Sequence, residues 1–273
     1  MLVSIRSVAL VFGAIAPHGG IVIADEVAAI TRVGMEELGR RFTDARPEVV
    51  VVATPHNVHI SSTLGVIVAG RVAGKLEGTA PPIELDMPTD TELAVGILQS
   101  LGAAGLPAAG VSFGSNDLAL AVAPMDWGVV IPLWFMGGRH DPPLPIVVVT
   151  PARDLPPSDH VTAGAAIATV AAGTQRRVAF IASADHGHAH AATGPFGFHP
   201  AAAEFDALVC DLVRSNRLDG LIDIEPAMVE NAKADSWWQM LMLYGATAGW
   251  HGELISYEAP TYFGMLTAAY SPN

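Results

Sequence analysis

The sequence predicts an α/β protein, one domain over residues 1–273, with a mostly parallel or mixed central sheet and helices on both faces. Three observations carry this expectation. Short β-rich runs alternate with helical stretches over the whole length, the order that builds a parallel sheet. The runs Glu48–Ala53 (EVVVVA), Pro145–Val149 (PIVVV) and Arg177–Ser183 (RVAFIAS) are nearly unbroken apolar segments, as strands covered on both faces must be. No linker, repeat or low-complexity block divides the chain.

The elements follow in order. Val8–Ala14 reads as a strand that ends at APHGG. Asp25–Arg41 reads as a helix with Val27, Ile30, Val33 and Leu38 on one apolar face. Glu48–Ala53 is the next strand and ends at TPHNVH. Val66–Ala69 and Lys75–Gly78 suggest a small hairpin or edge piece. Pro88-Thr89-Asp90 is a cap signal for a helix over Asp90–Ala104. The Ala- and Gly-rich stretch Leu101–Val111 reads as a loop or packed turn, and Val129–Phe135 is open between strand and helix. Pro145–Val149 is a strand, Thr162–Ala172 a helix, and Arg177–Ser183 a strand running into ADHGHAH. Helices over Pro200–Arg214 and Ala232–Ala246 precede a last strand, Leu254–Glu258.

Composition narrows the function. The 273 residues are 51% hydrophobic and 15% charged, which excludes disorder. One cysteine, Cys210, excludes a disulfide framework and fits a reducing cytoplasm. It falls in an amphipathic helix, as a buried apolar residue would. A net charge of −13 argues against nucleic acid and anionic membranes as partners. Mean hydropathy is high at +0.41, yet no spanning segment emerges. Pro17-His18-Gly19-Gly20 breaks the first apolar stretch, and Pro124, Asp126 and Pro132 interrupt the one after Leu118. Val8–Ala16 runs into that Pro-His-Gly-Gly turn, not into a small-residue cleavage site.

The ten histidines matter by placement. His18 follows the first strand, His56 and His59 the second, and His186, His188 and His190 the strand Arg177–Ser183. Ligands of open α/β sheets bind beyond the carboxyl ends of the strands, so three strand ends bring imidazole to one crevice. His18 and His56 each follow a proline, which fixes the backbone just ahead of the ring. Neutral imidazole suits Zn, Fe, Cu or Ni, and a carboxylate from Asp126, Asp185, Glu225, Glu230, Glu253 or Glu258 would complete a facial site. On an extended chain His186, His188 and His190 point the same way, so a self-contained zinc cluster is also open. Arg139 and His140 follow a Trp-Phe-Met run, where either an anionic substituent or a surface salt bridge would occupy the arginine. Phosphate-binding, nucleophile-elbow and paired-cysteine motifs are missing.

From FGAIAPHGG to ELISYEAPTYFGMLTAAY, the order and spacing of these motifs resemble the class III extradiol ring-cleavage dioxygenases. This is the LigB-type superfamily of the protocatechuate 4,5-dioxygenase catalytic subunit. The resemblance implies an Fe(II) held by His18, His56 and Glu230, the last in VENAKADSWWQMLMLYGA, with Glu225 as its closest substitute. It places the catalytic acid–base at His188, in Ser183-Ala184-Asp185-His186-Gly187-His188. Trp127, His186 and His59 remain as residues for the substrate side. Trp127 departs from the family, which usually has His there. An indole facing the substrate would favour a bulkier or less polar aromatic than carboxylated catechols; turned away, it would pack beneath Val129–Leu133.

The implied reaction opens the ring of a catechol or aminophenol next to its paired heteroatoms, with O2 as co-substrate. One imidazole near neutrality serves as base and then acid. A small aromatic substrate, a homodimer and a cytoplasmic location complete the expectation. Two other classes compete: a metal-dependent hydrolase on the same ligands with zinc, and a non-catalytic Memo-like metal-binding protein.

Overall fold

A computed structural model describes residues 10–24, 26–79 and 82–273. The chain enters β1 (Leu10–Ala16), makes the single turn α1 (Ile21–Ala24), and runs through α2 (Ala29–Ala45) into β2 (Val49–Ala53). β3 (Leu64–Ile67), β4 (Arg71–Leu76), β5 (Ile83–Pro88), α3 (Thr91–Ala103), β6 (Ala108–Val111) and β7 (Val122–Pro124) follow. Next come α4 (Trp127–Phe135), β8 (Ile146–Thr150), α5 (Pro157–Gly173) and β9 (Val178–Ser183). The last third holds α6 (Ala201–Arg214), α7 (Pro226–Ala232), α8 (Trp237–Ala246), β10 (His251–Glu258) and β11 (Met265–Ser271).

The main sheet is mixed and eight-stranded, in the order β10-β11-β1-β9-β2-β8-β3-β6. Its centre, β1-β9-β2-β8, is all parallel; β11 pairs antiparallel with β1, and β3 antiparallel with β8. These central strands are buried on both faces because side chains alternate between two cores. Val49, Val51 and Ala53 face one core with α3, α5, α6 and α8. Val50 and Val52 face the other with α2, α4 and a three-stranded sheet β5-β4-β7. Full burial of each valine is worth about 1.5–3 kcal/mol, enough to fix which strands sit at the centre. Among the described residues, no helix is long and apolar enough to cross a membrane.

Several elements differ from the expectation. Val8 and Asp25, the expected starts of the first strand and helix, lie outside the described residues. On α2 the inward face is Thr31, Gly34, Met35, Leu38 and Phe42. Val27, Ile30 and Val33 are exposed instead, Val33 by 64%. A helix one residue out of phase turns an apolar stripe to solvent, and here tertiary packing on β10 and β11 set the phase. Gly34 lets α2 cross those strands, since a Cβ there would strike Ser256 and Thr267. Residues 108–111 form a strand, not a loop, and Val129–Phe135 is helical. Of the expected helix Ala232–Ala246 only Trp237–Ala246 is α8; Ala232 ends α7, and Lys233, whose φ of 54° is left-handed, breaks the chain between them. The strand β11 was unforeseen because MLTAAYS is rich in small residues. Cys210 is buried, as expected, and burial pushes its thiol up to about 11.

The helices α5 and α8 approach at two glycines. A Cβ on Gly164 would collide with the Met242 carbonyl, and one on Gly245 with that of Val161. This contact presses α8 onto β9 and fixes the segment that precedes α8. Gly164→Ala should therefore cost about 1–3 kcal/mol of stability through overpacking, read as a lower denaturation midpoint. Gly102→Ala is the control: it lies in α3 with nothing within 4 Å of a new Cβ, and should stabilise slightly. Equal gains in both variants would contradict the close approach.

Candidate functional site

β1, β9 and β2 are neighbours and parallel, so their carboxyl ends open on one crevice. Two residues past β1 stands His18, three past β2 stands His56, and β9 ends in Ser183 with Asp185 two residues on. The His18 and His56 Nε2 atoms are 3.2 Å apart. The third corner is Asp235, whose Oδ2 lies 3.4 Å from His18 Nε2 and 3.5 Å from His56 Nε2. Three ligands about 2.1 Å from a common ion, at angles of 90–110°, would stand about 3.0–3.4 Å apart. The donor triangle therefore fits a divalent metal ion without rearrangement.

The protein fixes the direction of each lone pair. Ser183 Oγ donates to the Gly128 carbonyl at 2.5 Å and so accepts from His18 Nδ1 at 2.9 Å. In the neutral ring, the form a metal ion would take, this assigns the hydrogen to Nδ1 and leaves the Nε2 lone pair facing the crevice. His18 N donates to Asp185 Oδ1 at 3.0 Å. His56 N donates to Thr54 Oγ1, and its ring lies 4.4 Å from that of Trp127. Gly128 makes this packing possible, because a Cβ there would stand 2.6 Å from Thr54 Oγ1. Gln239 Nε2 donates to the carbonyls of Ser183 and Asp235, joining the first turn of α8 to the end of β9.

Burial alone would lower His18, but the carboxylates of Asp185 and Asp235 outweigh it and raise the imidazole to about 9. Burial would raise Asp235, and the facing imidazoles, chiefly His18, pull it well below the usual carboxylate range. Two buried carboxylates beside two imidazoles make a pocket that attracts a cation.

Of the imidazoles in the loop after β9, His188 alone lines the cavity. Its Nδ1 lies 2.7 Å from the His186 carbonyl, so Nδ1 carries the hydrogen and Nε2 is free to accept a proton. Its ring stacks on Phe263 at 5.5 Å and 16°. His190 Nε2 is tied to Asp206 Oδ2 at 2.8 Å. The same carboxylate accepts from Gly187 N and Tyr257 Oη, which clamps the loop on both sides of His188. His186 is fully buried against Phe205, and burial lowers its pKa. A three-histidine cluster is thus excluded by geometry.

The expected carboxylate, Glu230, is exposed on α7 and lines the cavity wall without joining the imidazoles. Glu225 is exposed at the start of α7. Asp235 takes the position because left-handed Lys233 ends α7 and turns the chain inward before α8. The sequence held one signal for it: Asp235-Ser236 ahead of an apolar run is a helix-start pattern. Trp127, 49% exposed, faces the cavity. His186 and His59 do not line it; His59 is exposed, its pKa lowered by burial and by Arg153. Arg139 lies 4.9 Å over Trp134 on a different face, with His140 beside it, away from the crevice.

A mixed α/β sheet with a two-His, one-carboxylate triangle at its parallel strand ends defines the class: a candidate metal centre on an α/β scaffold. The family model described as the catalytic LigB subunit of aromatic ring-opening dioxygenase matches residues 15–267, and the chain belongs to that family. It is 23% identical over 234 residues to Protein CA_C1420 of Clostridium acetobutylicum. That match covers 84% of this chain, which spans about half (49%) of the relative's length. The crystal structure of uncharacterized protein JW3007 from Escherichia coli K12 has the same fold, with a TM-score of 0.62 at 17% identity. The match covers 95% of this chain and 99% of that one.

The geometry distinguishes the two acidic residues. Asp235→Ala should abolish binding of one divalent metal per chain, measured by metal analysis after anaerobic loading and desalting. Glu230→Ala should keep full stoichiometry. The reverse pattern would return the ligand to Glu230.

Proposed function

We propose that the protein is a non-haem Fe(II)-dependent extradiol dioxygenase that opens a catechol or aminophenol ring with O2. The observation that carries this reading is the donor triangle of His18, His56 and Asp235 beside the free Nε2 of His188, in a cavity walled by aromatic rings. Two imidazoles and one carboxylate on a face are the donor set suited to Fe(II) with open positions. The iron, when bound, would supply the redox chemistry that joins the aromatic to O2.

The protein's own residues do the rest. Trp127, Tyr262, Phe263 and Phe196 line a cavity of about 1180 Å³ and offer apolar faces to a flat ring. His188 Nε2 takes the proton of a substrate hydroxyl and later returns a proton to the opened product. Its Nδ1–H, held by the His186 carbonyl, keeps the ring aimed through both steps. Asp206 holds the loop from behind and leaves His188 as the mobile proton carrier. Trp127 stands against His56, so the aromatic next to the metal meets an indole face, not a proton-transfer group.

Oxygen dependence separates this reading from a zinc hydrolase on the same ligands. Fe(II)-loaded protein mixed with a panel of catechols and aminophenols in air should consume O2 and form a coloured ring-opened product. His188→Ala should keep its iron and lose about 10²–10⁴-fold in turnover. Undiminished turnover in that variant, or no O2 uptake with any member of the panel, would overturn the assignment.

A further inference from the structure

We propose that a second pocket, at the far end of α4 and about 390 Å³ in volume, binds a free amino acid with an apolar or aromatic side chain. Its wall holds Glu36 and Arg40 of α2 and, at and just after the end of α4, Trp134, Phe135, Arg139 and His140. α4 has nine residues and is about 13 Å long. Trp127 opens it on the metal cavity and Phe135 ends it on this pocket. The two sites thus lie at opposite ends of one helix. None of these pocket residues lines the metal cavity, so binding here is independent of ring opening.

Engaged and free charges together define the ligand. The Arg40 guanidinium donates to Glu37 and Asp44 on its own helix. Thr43 Oγ1 donates to the Gly39 carbonyl. Among the described residues, no carboxylate pairs with Arg139 and no base pairs with Glu36. In a chain with 14 Lys and Arg against 27 Asp and Glu, an arginine without a carboxylate stands out. The Arg139 guanidinium lies 4.9 Å over the Trp134 ring. Stacking on an indole sets its plane and keeps its N–H edges available for a carboxylate.

Glu36 and Arg139 share the wall without pairing with each other. Opposite charges that face one pocket and do not touch leave room for a ligand of both signs. The last turn of α4 adds to the negative side. Among the described residues, no backbone N–H donates to the Trp134 or Phe135 carbonyl, and a helix end of this kind favours an ammonium. A phosphate or dicarboxylate would be repelled by Glu36, and a simple amine would leave Arg139 without a partner. The ammonium and carboxylate of a free amino acid answer both, and its side chain lies on the half-buried rings of Trp134 and Phe135. A Cβ on Gly39 would stand 2.7 Å from the Phe135 carbonyl oxygen, so α2 and α4 meet closely at this glycine and fix the two walls. The volume falls within the ~300–1,000 Å³ typical of small-molecule sites, near the lower end, which suits one small ligand.

The test is calorimetric titration of the full chain, without added metal, with three probes. They are L-phenylalanine, L-phenylalaninamide, which lacks the carboxylate, and N-acetyl-L-phenylalanine, which lacks the ammonium. The free amino acid should bind, and each blocked form should bind about tenfold or more weakly, the loss of one charged hydrogen-bonded contact. Arg139→Gln should weaken the free amino acid by a similar factor, and Arg139→Lys should recover part of it. Glu36→Gln should bring the free and N-acetyl forms close together. Both side chains are exposed, so the variants should keep the native denaturation midpoint. No heat from L-phenylalanine at millimolar concentration, equal binding of all three probes, or unchanged binding in Arg139→Gln would overturn the site.

Discussion

The structure turns on two buried carboxylates, Asp185 and Asp235, placed beside two imidazoles where, among the described residues, no lysine or arginine pairs with them. Buried charge is costly unless it is paired. Hydrogen bonds meet part of that cost: Asp185 accepts from His18 N, and the Asp235 segment is held by Gln239. The remaining charge makes the pocket a site for a cation. Much of the nearby architecture serves to hold this arrangement. Ser183 sets the His18 tautomer, Gly128 lets α4 close on His56, and the His188 backbone N–H takes the Ala232 carbonyl at the end of α7.

Strand ends were the most legible part of the sequence. A parallel strand covered on both faces is written as an unbroken apolar run, so β2, β8 and β9 could be found with their edges. Once three such strands are adjacent, His18, His56 and the loop holding His188 must converge. Asp235 was not legible in the same way. Its position depends on a left-handed residue at Lys233, and lysine gives no local sign of a positive φ. The phase of α2 was likewise hidden, because Val27, Ile30 and Val33 look like an inward stripe until Gly34 and Met35 are seen packed on the sheet. β11 was obscured for a related reason: MLTAAYS is built largely on small residues, so the usual β-branched signature is missing.

The loop after β9 shows how similar residues acquire different work from their surroundings. His186, His188 and His190 share a chemistry and a spacing of two. One is buried against Phe205, one is bound to Asp206, and one keeps a free nitrogen toward the cavity. An alternating pattern places side chains on one side of an extended strand, but this loop is not extended, and the pattern carries no weight there. What selects His188 is the carbonyl at its Nδ1 and the aromatic wall of Phe263 and Tyr262.

The most direct test of this account is anomalous diffraction at the iron edge from anaerobically loaded crystals. The account predicts one peak per chain, about 2.0–2.3 Å from His18 Nε2, His56 Nε2 and an Asp235 carboxylate oxygen, with His188 Nε2 facing it unligated. A peak bound by Glu230, or one seated among His186, His188 and His190, would contradict it.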